Sequence, residues 1–440
     1  MSRQFKLFLA EASASLPARW RARLLDFAAF FFFKILRPAR RLIPLHILRH
    51  LHVSSEVLGP PKDLCETTED CCRSLGLEKA YFPIHPPGQY DRPPLPATLE
   101  PMMHEAFLRE HDQLAPRTFV AEIPGARVYG DCGAVISPDD RLVLDVSGEM
   151  TMPRFEHSIF FRFRLPRAVR LPGKSTVLAT AGRANYSHWM CDSLPRLELL
   201  RKAGFRWEDI DHFLVGEFTP FQKETLELLG IDPARRRLCT PSSHFRCETL
   251  IVSSLPGMIG HPPPWAGDFL REMLLGTSQG AAGALDARAG KRIYISRAGA
   301  RFRRVLNEVE VIATLQREGF TVVKLETLSV AAQARLFSEA EVVVSPHGAG
   351  LTNILFCQPG AVVVEIFSPR CVIPAYYGMA SRGHLRYGYV LGRPLTANSK
   401  GHYFSMIEDI SVDCQALLET LALRLSVSTD SASKRILASG

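Results

Sequence analysis

Short runs of aliphatic and β-branched residues alternate, along the second half of the chain, with stretches in which apolar residues recur every three or four positions. The first pattern is typical of buried strands and the second of amphipathic helices. Strands are predicted at 292–296, 321–324, 342–345 and 361–366, and helices at 308–318, 330–340 and 351–356. Because strands and helices alternate, this pattern predicts a parallel sheet that is covered by helices on both faces.

The preceding part of the chain begins with a different pattern. Short apolar runs between residues 118 and 146 are separated by Gly, Asp and Pro, which predicts a β-meander. Strands at 176–180, 212–215 and 249–253 and helices at 188–203, 220–229 and 265–275 then resume the alternation. The small residues of 276–290 indicate a domain boundary, so the sequence predicts two doubly wound domains that face each other across a cleft.

The remaining segments are predicted to be less regular. Proline pairs interrupt 53–116, which is typical of an irregular linker on the surface. The last predicted helix, at 411–424, is amphipathic. The predicted organisation is an N-terminal segment at 1–52, the linker at 53–116, an α/β domain with the meander at 117–285, a second α/β domain at 286–410, and a C-terminal helix and tail at 411–440.

The positive charge is concentrated at the N-terminus. The chain of 440 residues has a formal net charge of +8, and residues 1–52 hold ten Lys or Arg and two acidic residues. The rest of the chain is therefore neutral, which argues against a nucleic-acid groove. A content of 46% hydrophobic and 22% charged residues is that of an ordinary globular protein.

An apolar run at 24–36, LLDFAAFFFFKIL, is flanked by arginines within 19–41. A helix of this length extends about 20 Å, which is short of the roughly 30 Å of a bilayer core. Aromatic residues beside arginines favour a helix on an anionic membrane surface, so the sequence predicts a cytoplasmic protein that is peripheral on the inner face of the cell membrane. The alternative is a basic helix that packs on the body of the protein.

The ten cysteines are scattered and form no C-x-x-C pair. This spacing does not resemble a zinc site, and it favours free thiols in a reducing compartment, including the cluster Cys65, Cys71 and Cys72. No D-x-D or H-x-H motif stands in a convincing context. We therefore expect no obligatory metal ion or other cofactor.

The segment 341–353, EVVVSPHGAGLTN, joins a predicted buried strand to a predicted helix through a glycine turn. Gly348, Ala349 and Gly350 would let backbone N–H groups approach an anion at the positive end of that helix, and a phosphate is the simplest such ligand. His347 could donate to the same phosphate or bind the backbone. Turns of this kind also occur for geometry alone, and neither a G-x-G-x-x-G nor a Walker A motif is present.

Charged residues follow two more of the predicted strands. Arg297 follows the strand at 292–296 directly, and Arg304 lies in the same loop. Guanidinium groups form paired hydrogen bonds with phosphate oxygens, so both are candidate ligands of a diphosphate. Glu365 ends the strand beside the glycine turn, where its carboxylate could accept hydrogen bonds from ribose hydroxyls or simply lie on the surface.

A polar motif in the first predicted domain supplies candidate catalytic groups. His188 and Asp192 are four residues apart in the run NYSHWMCDSLPRL, so they share one face of a helix. Opposite a diphosphate, such a group could act as the general base for an attacking hydroxyl. The same spacing is also common in ordinary helices. Asn185, Tyr186 and Trp189 lie in the same run.

These motifs together resemble glycosyltransferase family 61, of the bacterial type associated with capsular and other surface polysaccharides. The resemblance rests on NYSHWMCDSLPRL at 185–197, YISR at 294–297 with RRVLNE at 303–308, and VVVSPHGAGLTNILFCQPGAVVVEIF at 342–367. It implies a GT-B fold of two Rossmann-like domains. It also implies inverting, metal-independent transfer of a sugar from a nucleotide diphosphate donor to a hydroxyl of a polysaccharide or glycolipid acceptor.

Carried over residue by residue, the resemblance implies that Asp192 is the base, with His188 as the second candidate. The implied donor-site residues are Arg297, Arg304, His347, Gly348, Ala349, Gly350 and Glu365, and the implied acceptor-side residues are Asn185, Tyr186 and Trp189. Two alternatives remain. One is a nucleotide-sugar epimerase or hydrolase of the same architecture, and the other is a non-catalytic protein that binds a glycan or a nucleotide.

Overall fold

The computed structural model describes residues 60–90, 94–110, 113–149, 157–162, 164–182, 184–276, 290–394 and 407–437. The predicted membrane-surface segment, the start of the predicted linker and most of the predicted glycine-rich boundary lie outside these residues. Within the described ranges, no helix combines the length and the apolar character that a membrane crossing needs.

The strands and helices follow in chain order. The strands, β1 to β19, are Asp63–Cys65, Tyr81–His85, Gly88–Gln89, Leu114–Ala115, Thr118–Pro124, Arg127–Tyr129, Ala134–Ile136, Arg141–Val143, Val169–Val177, His212–Val215, Arg236–Leu238, His244–Ser253, Arg292–Ile295, Thr321–Val323, Val342–Pro346, Val362–Phe367, Arg386–Leu391, Arg393–Pro394 and Ile410–Ser411. The α-helices, α1 to α10, are Thr68–Ser74, Glu105–Glu110, Tyr186–His188, Arg196–Lys202, Pro220–Leu228, Pro264–Gly276, Glu308–Arg317, Val330–Glu339, Ala375–Arg382 and Cys414–Leu437. A π-helix, Trp189–Ser193, continues α3, and a 3-10 helix, Ala349–Phe356, follows β15.

The second half of the chain forms a five-stranded parallel sheet in the order β14-β13-β15-β16-β17. Successive residues of a strand point to opposite faces, so Val343 packs into one core and Val344 into another. α8 and α9 cover the first face, and α7 and α10 cover the second. The predicted parallel sheet with helices on both faces is confirmed, and β17 adds a strand that the sequence pattern did not predict.

The order of these strands creates a switch point between β13 and β15. From β13 the chain moves to β14 on one side, and it then returns to β15 on the other side. The connections on either side of β13 therefore diverge and leave a crevice at the carboxyl ends of the strands. In open α/β sheets, ligands bind in this crevice.

The first half of the chain forms a ten-stranded mixed sheet. β12, β9, β10 and β11 run parallel to one another, whereas β5, β6, β7 and β8 add antiparallel pairs. The predicted β-meander is confirmed by the pairing of β6 with β7 and of β7 with β8. The sheet is only partly of the predicted doubly wound type, because antiparallel strands extend it on one side. The α/β class of the fold is thus confirmed.

Residues 60–110 are more regular than the sequence predicts. β1 pairs with β8 and β2 pairs with β5, so both strands belong to the first sheet. Cys71 and Cys72 in α1 are fully buried. The prediction of an irregular surface linker is therefore wrong for the described part of 53–116. The pair Pro86-Pro87 separates β2 from β3 rather than preventing either strand.

One hydrophobic core joins the two sheets. It contains Leu197 and Phe213 from the first half of the chain together with Ile295 and Phe337 from the second half, and all four side chains are buried. Burial of apolar area of this kind is the main stabilising contribution to a fold. The two sheets are therefore held together by apolar packing as well as by polar contacts.

α2 packs on the second sheet although it lies, in the sequence, between β2 and β5 of the first sheet. The ring of Phe107 lies 4.6 Å from that of Tyr389 and 5.5 Å from that of Tyr377, between centroids. Just before α2, the Ala97 N–H donates to the oxygen of Tyr387 at 3.0 Å, and the Ala97 oxygen accepts from the Tyr389 N–H at 2.9 Å. The segment 94–110 therefore bonds to the edge strand β17 and buries its aromatic face.

Candidate active site

The glycine turn leads from β15 into the 3-10 helix Ala349–Phe356. The His347 N–H donates to the oxygen of Ile366 at 2.9 Å, which extends the pairing of β15 with β16 by one residue. The helix predicted at 351–356 is therefore a 3-10 helix that begins two residues earlier. Its first amides, including that of Gly350, lack partners within the helix itself and lie beside the switch point.

Gly348 is required by a close approach and not by an unusual backbone angle. Its φ of 176° is extended backbone that any residue adopts. A Cβ at this position would overlap Nη1 of Arg297, so only glycine lets the guanidinium lie against the turn. In the same way, a Cβ at Gly350 would lie 2.7 Å from Cδ1 of Leu325. The turn is thus shaped around an arginine and a leucine side chain.

Arg297 is a half-buried cation that pairs with no carboxylate among the described residues. Its Nη2 donates to the oxygen of Phe302 at 3.0 Å, and its Nε donates to the oxygen of Arg303 at 3.4 Å. The Arg297 N–H donates to Oε1 of Glu308 at 3.0 Å, which fixes the start of the loop. Burial lowers the pKa of the guanidinium, and the charge of Arg303 lowers it further. A buried cation of this kind favours an anionic ligand.

A cavity of about 500 Å³ opens at the carboxyl ends of β13 and β15. Ser296 and Arg297 line it from the end of β13, and Gly348 lines it from the glycine turn. Tyr186 and Phe221 line it from the first half of the chain. The cavity therefore lies at the switch point of the second sheet, and both halves of the chain contribute to its walls.

Arg304 lies away from this cavity, contrary to the prediction that it converges on the same anion as Arg297. Its side chain is 51% exposed and pairs with Asp409, whose Oδ2 lies 2.7 Å from Nη2. The Arg304 N–H also donates to Oδ1 of Asp409 at 2.8 Å. The arginine therefore ties its loop to the segment before β19, a long-range contact that the sequence pattern does not reveal.

Glu365 is fully buried, so the prediction that it approaches a ribose does not fit its position. Its Oε1 accepts from Nδ1 of His347 at 2.5 Å, and its Oε2 accepts from the hydroxyl of Tyr387 at 2.5 Å. Burial raises the pKa of the Tyr387 hydroxyl, and the charge of Glu365 raises it further. Because a carboxylate only accepts, the proton of His347 resides on Nδ1. Glu365 thus orients a residue of the glycine turn from within the core.

His188 and Asp192 form a paired imidazole and carboxylate. Nδ1 of His188 lies 2.7 Å from Oδ2 of Asp192, and Oδ1 of Asp192 accepts from the Gly260 N–H at 2.8 Å. The side chain of His188 is 16% exposed, whereas that of Asp192 is 4% exposed. Asp192 therefore has both oxygens occupied within the protein. Nε2 of His188 has no hydrogen-bond partner among the described residues.

The three predicted acceptor-side residues of the NYSHW run have distinct positions. The side chain of Asn185 caps α3 by accepting from the Ser187 N–H at 2.8 Å. Trp189 is 1% exposed, and its Nε1 donates to Oγ1 of Thr225 at 2.9 Å, so it is a core residue and not an acceptor contact. Tyr186 lines the cavity, and its hydroxyl donates to Oδ1 of Asn353 at 2.6 Å. The structure thus brings the two motifs together through Tyr186.

Sequence reasoning missed several residues of this site. Gly260 holds Asp192, but a lone glycine in a loop gives no signal of that role. Glu224 lines the cavity from α5, and its Oε1 accepts from the Ala331 N–H at 3.1 Å. Glu326 also lines the cavity. Its position just after the strand predicted at 321–324 is the same signal that identified Arg297, so this residue could have been found.

Among the described residues, no group of three or more His, Cys, Asp or Glu could hold a metal ion. Metal independence stays a prediction. All ten cysteines are free. Burial raises the pKa of Cys71 to about 12 and that of Cys72 to about 11, so both remain protonated thiols at neutral pH.

The fold and the site together define an α/β protein with a cavity at the switch point of a parallel sheet, which is lined by Arg297, and with a paired His188 and Asp192 that follow the cavity-lining Tyr186 in the sequence. Residues 186–364 match the family model described as Glycosyltransferase 61. The matched residues include His188, Asp192 and Gly348, and they include the hydrogen bond between Tyr186 and Asn353. The matched part, which is less than half of the chain, is therefore similar to glycosyltransferase family 61.

Curated relatives support the same class. The chain is 27% identical over 237 residues to the protein O-linked-mannose beta-1,4-N-acetylglucosaminyltransferase 2 of Xenopus laevis, covering 48% of this chain and 40% of the relative. It is 30% identical over 268 residues to the beta-1,2-xylosyltransferase XAX1 of Oryza sativa subsp. japonica, covering 55% of this chain and 46% of the relative. The chain thus spans less than half of the length of these relatives. Both are eukaryotic, so the bacterial surface-polysaccharide type stays a prediction.

Proposed function

We propose that the protein is an inverting glycosyltransferase that moves a sugar from a nucleoside diphosphate donor to a hydroxyl of a glycan acceptor. The observation that carries the proposal is the position of Arg297. Its guanidinium lines the cavity at the switch point and has no carboxylate partner among the described residues. Gly348 has no side chain and therefore leaves space for this guanidinium. A diphosphate supplies the charge that this position favours.

The donor side of the site would bind and stabilise the leaving diphosphate. Arg297 would donate to its oxygens, and the first amides of the 3-10 helix, those of Ala349 and Gly350, would donate from the other side. As the bond between the sugar and the diphosphate breaks, negative charge accumulates on the leaving group. Fixed donors that are in place before the reaction stabilise this charge without reorganisation. This arrangement supports transfer without a metal ion.

The acceptor side would supply the base. Nε2 of His188 would take the proton of the acceptor hydroxyl while its oxygen attacks the anomeric carbon and the diphosphate leaves from the opposite face. Asp192 would stabilise the imidazolium that forms, since it already accepts from Nδ1. The geometry favours His188 as the base over Asp192, which the sequence predicted as the base, because both oxygens of Asp192 form hydrogen bonds within the protein.

The arrangement of the two sheets supports a GT-B type architecture, in which the donor binds to the second unit and the acceptor reaches the first. Tyr186 and Phe221 bring the first half of the chain to the cavity, which is where such an interface needs to lie. We propose a polysaccharide or glycolipid as the acceptor, at the inner face of the cell membrane. This part rests on the basic, aromatic segment 19–41 and is tested by sedimentation of the full chain with anionic and neutral vesicles.

The function is tested in two stages. A panel of nucleotide sugars is first screened by thermal shift, because a donor that binds the folded state raises the melting temperature. The donor that binds is then incubated with and without glycan acceptors, and the anomeric configuration of the product is read by NMR. Nucleoside diphosphate release that depends on an acceptor, with inversion, supports the proposal. Isomerisation or hydrolysis without an acceptor supports an epimerase or hydrolase instead.

The base is tested by the substitution H188N with H384N as the matched control. Asn retains a donor toward Asp192 but lacks Nε2, so we expect kcat to fall by about 100-fold to 10,000-fold while donor binding remains. His384 is exposed and tolerates Asn at its φ of 55°. An unchanged rate in H188N would remove His188 from the mechanism.

A further inference from the structure

The cavity extends from Arg297 toward β14. Beyond the ends of β13 and β15, its lining includes Leu325, Glu326 and Leu328, which follow β14, and Val330 at the start of α8. This direction is away from β16 and β17, which lie on the other side of β15. A ligand whose diphosphate contacts Arg297 would therefore place its remaining groups over the end of β14.

On the side of β16, buried side chains of the protein fill the space that a nucleoside would need. Glu365 at the end of β16 is fully buried, and its two oxygens already accept from His347 and Tyr387. The ring of His347 also stacks on that of Phe367, with 5.2 Å between centroids. A nucleoside would have to displace these buried contacts to reach Glu365. The nucleoside half of a donor therefore fits on the β14 side.

Glu326 is the carboxylate that awaits a ligand on that side. It is exposed in the cavity and makes no hydrogen bond or direct ion pair with any other described residue, while its negative charge interacts with that of Arg297. Its Oε1 lies 3.2 Å from where a Cβ of Gly299 would stand, so the absence of a side chain at Gly299 leaves room beside it. The second carboxylate of the cavity, Glu224, differs because its Oε1 already accepts from the Ala331 N–H.

The chemistry of this position fits the hydroxyls of a ribose. A carboxylate that has two free oxygens can accept from both hydroxyls of a vicinal diol. In nucleotide-binding α/β sheets, an acidic residue at the end of the strand next to the phosphate-binding strand has this role. Leu325, Leu328 and Val330 provide apolar surface for the faces of the sugar and the base.

We propose that Glu326 accepts hydrogen bonds from the ribose hydroxyls of the donor and so selects ribonucleoside over 2′-deoxyribonucleoside diphosphates. This inference rests on the proposed function, because it assumes that the anion in the cavity is a nucleoside diphosphate. It assigns to Glu326 the role that the sequence pattern assigned to Glu365.

The experiment measures binding by calorimetry to the full chain. UDP, GDP, ADP and CDP are tested first, the tightest binder is compared with its own 2′-deoxy form, and inorganic pyrophosphate serves as the diphosphate alone. The wild-type protein should prefer the ribose form about tenfold or more, since a hydrogen bond to a charged group is lost in the deoxy form. E326A should reduce this ratio to near one. E326A should leave pyrophosphate binding unchanged or tighter, because a negative charge near Arg297 is removed.

The control variant is E318A, which truncates an exposed carboxylate at the end of α7 outside the cavity. It should retain the full preference for the ribose form. E326Q, which keeps one neutral acceptor, should have an intermediate ratio and guards against a loss of folding in E326A. If the wild-type protein binds no nucleoside diphosphate, the proposed function fails. If it binds one but E326A keeps the ribose preference, or if no preference exists, the assignment of Glu326 fails and the proposed function stands.

Discussion

The hydroxyl of Tyr186 donates to Oδ1 of Asn353 at 2.6 Å, across a separation of 167 residues in the sequence. Asn353 in turn donates to Oε1 of Gln333 at 2.8 Å, and Gln333 donates to the oxygen of Leu325 at 3.0 Å. This chain of hydrogen bonds runs from the His188 helix, through the 3-10 helix of the glycine turn, to the segment after β14. It fixes the proposed acceptor side relative to the proposed donor side.

The substitution Y186F tests this connection. It removes the donor and leaves Oδ1 of Asn353 buried without its partner, so we expect the free energy of unfolding to fall by about 1–3 kcal/mol. Urea denaturation followed by fluorescence measures the change. Y129F is the control, since the hydroxyl of Tyr129 has no hydrogen-bond partner among the described residues, and it should change stability less. Equal losses in the two variants would contradict the importance of the Tyr186 hydrogen bond.

Removal of the Arg297 charge should weaken anion binding specifically. We expect R297A to reduce the affinity for pyrophosphate by about 10-fold to 100-fold, because charge-assisted hydrogen bonds in a partly buried site are lost. Calorimetric titration provides the measurement. R304A is the matched control, since Arg304 is exposed and pairs with Asp409 outside the cavity. A loss of affinity in R304A equal to that in R297A would indicate a diffuse electrostatic effect and not a site.

The substitution G348A should reproduce part of the effect of R297A without removing a charge. The added methyl group would overlap Nη1 of Arg297 and force the guanidinium away from the turn. We expect weaker pyrophosphate binding and a loss of about 1–3 kcal/mol in unfolding free energy from overpacking. In G276A the new Cβ has no atom within 4 Å, so neither property should change in that control. Normal pyrophosphate binding in G348A would show that Arg297 does not need its present position.

Stability should decrease in mild acid because of His244. Burial lowers the pKa of this residue from 6.5 to about 4, and Arg127 and Arg246 contribute to the shift. Since the folded-state pKa is lower than the unfolded one, protons bind preferentially to the unfolded chain. The stability contributed by neutral His244 is complete above pH 6.5 and is lost as the pH falls toward about 4.

The measurement is the urea midpoint of the wild type and of H244Q between pH 7 and pH 5. We expect the wild-type midpoint to fall more steeply, with each unit of pKa difference corresponding to about 1.4 kcal/mol. H384N serves as the exposed control and should follow the wild-type profile. Parallel profiles for the wild type and H244Q would show that other groups govern the acid sensitivity.

The sequence pattern predicted the second sheet well because its strands are buried on both faces. The valines at 342–344 have no polar neighbours to interrupt them, so the pattern is unambiguous. β17 was missed because its sequence, RYGYVL, contains a central glycine and two tyrosines. Those tyrosines are buried, and Phe107 of α2 packs against both of them. A partner nearly 300 residues away leaves no local signal.

The site was predicted less completely than the fold. The sequence identified Arg297, Gly348 and the His188 motif from their positions at the ends of elements. It could not distinguish the strand-end residue that faces the cavity, Glu326, from the one that faces the core, Glu365. The distinction depends on the order of the strands in the sheet. β14 lies on the side of β13 that borders the cavity, whereas β16 lies between β15 and β17, and this order is known only from the folded structure.

The path of residues 94–110 limits how this protein can be divided. Phe107 fills the aromatic face of the second sheet, and Ala97 bonds to both Tyr387 and Tyr389 of its edge strand. A fragment that starts at residue 286 would lack both and would expose that aromatic face to water. The second half of the chain is therefore not an independent folding unit, and a fragment that is meant to fold alone has to include residues 94–110.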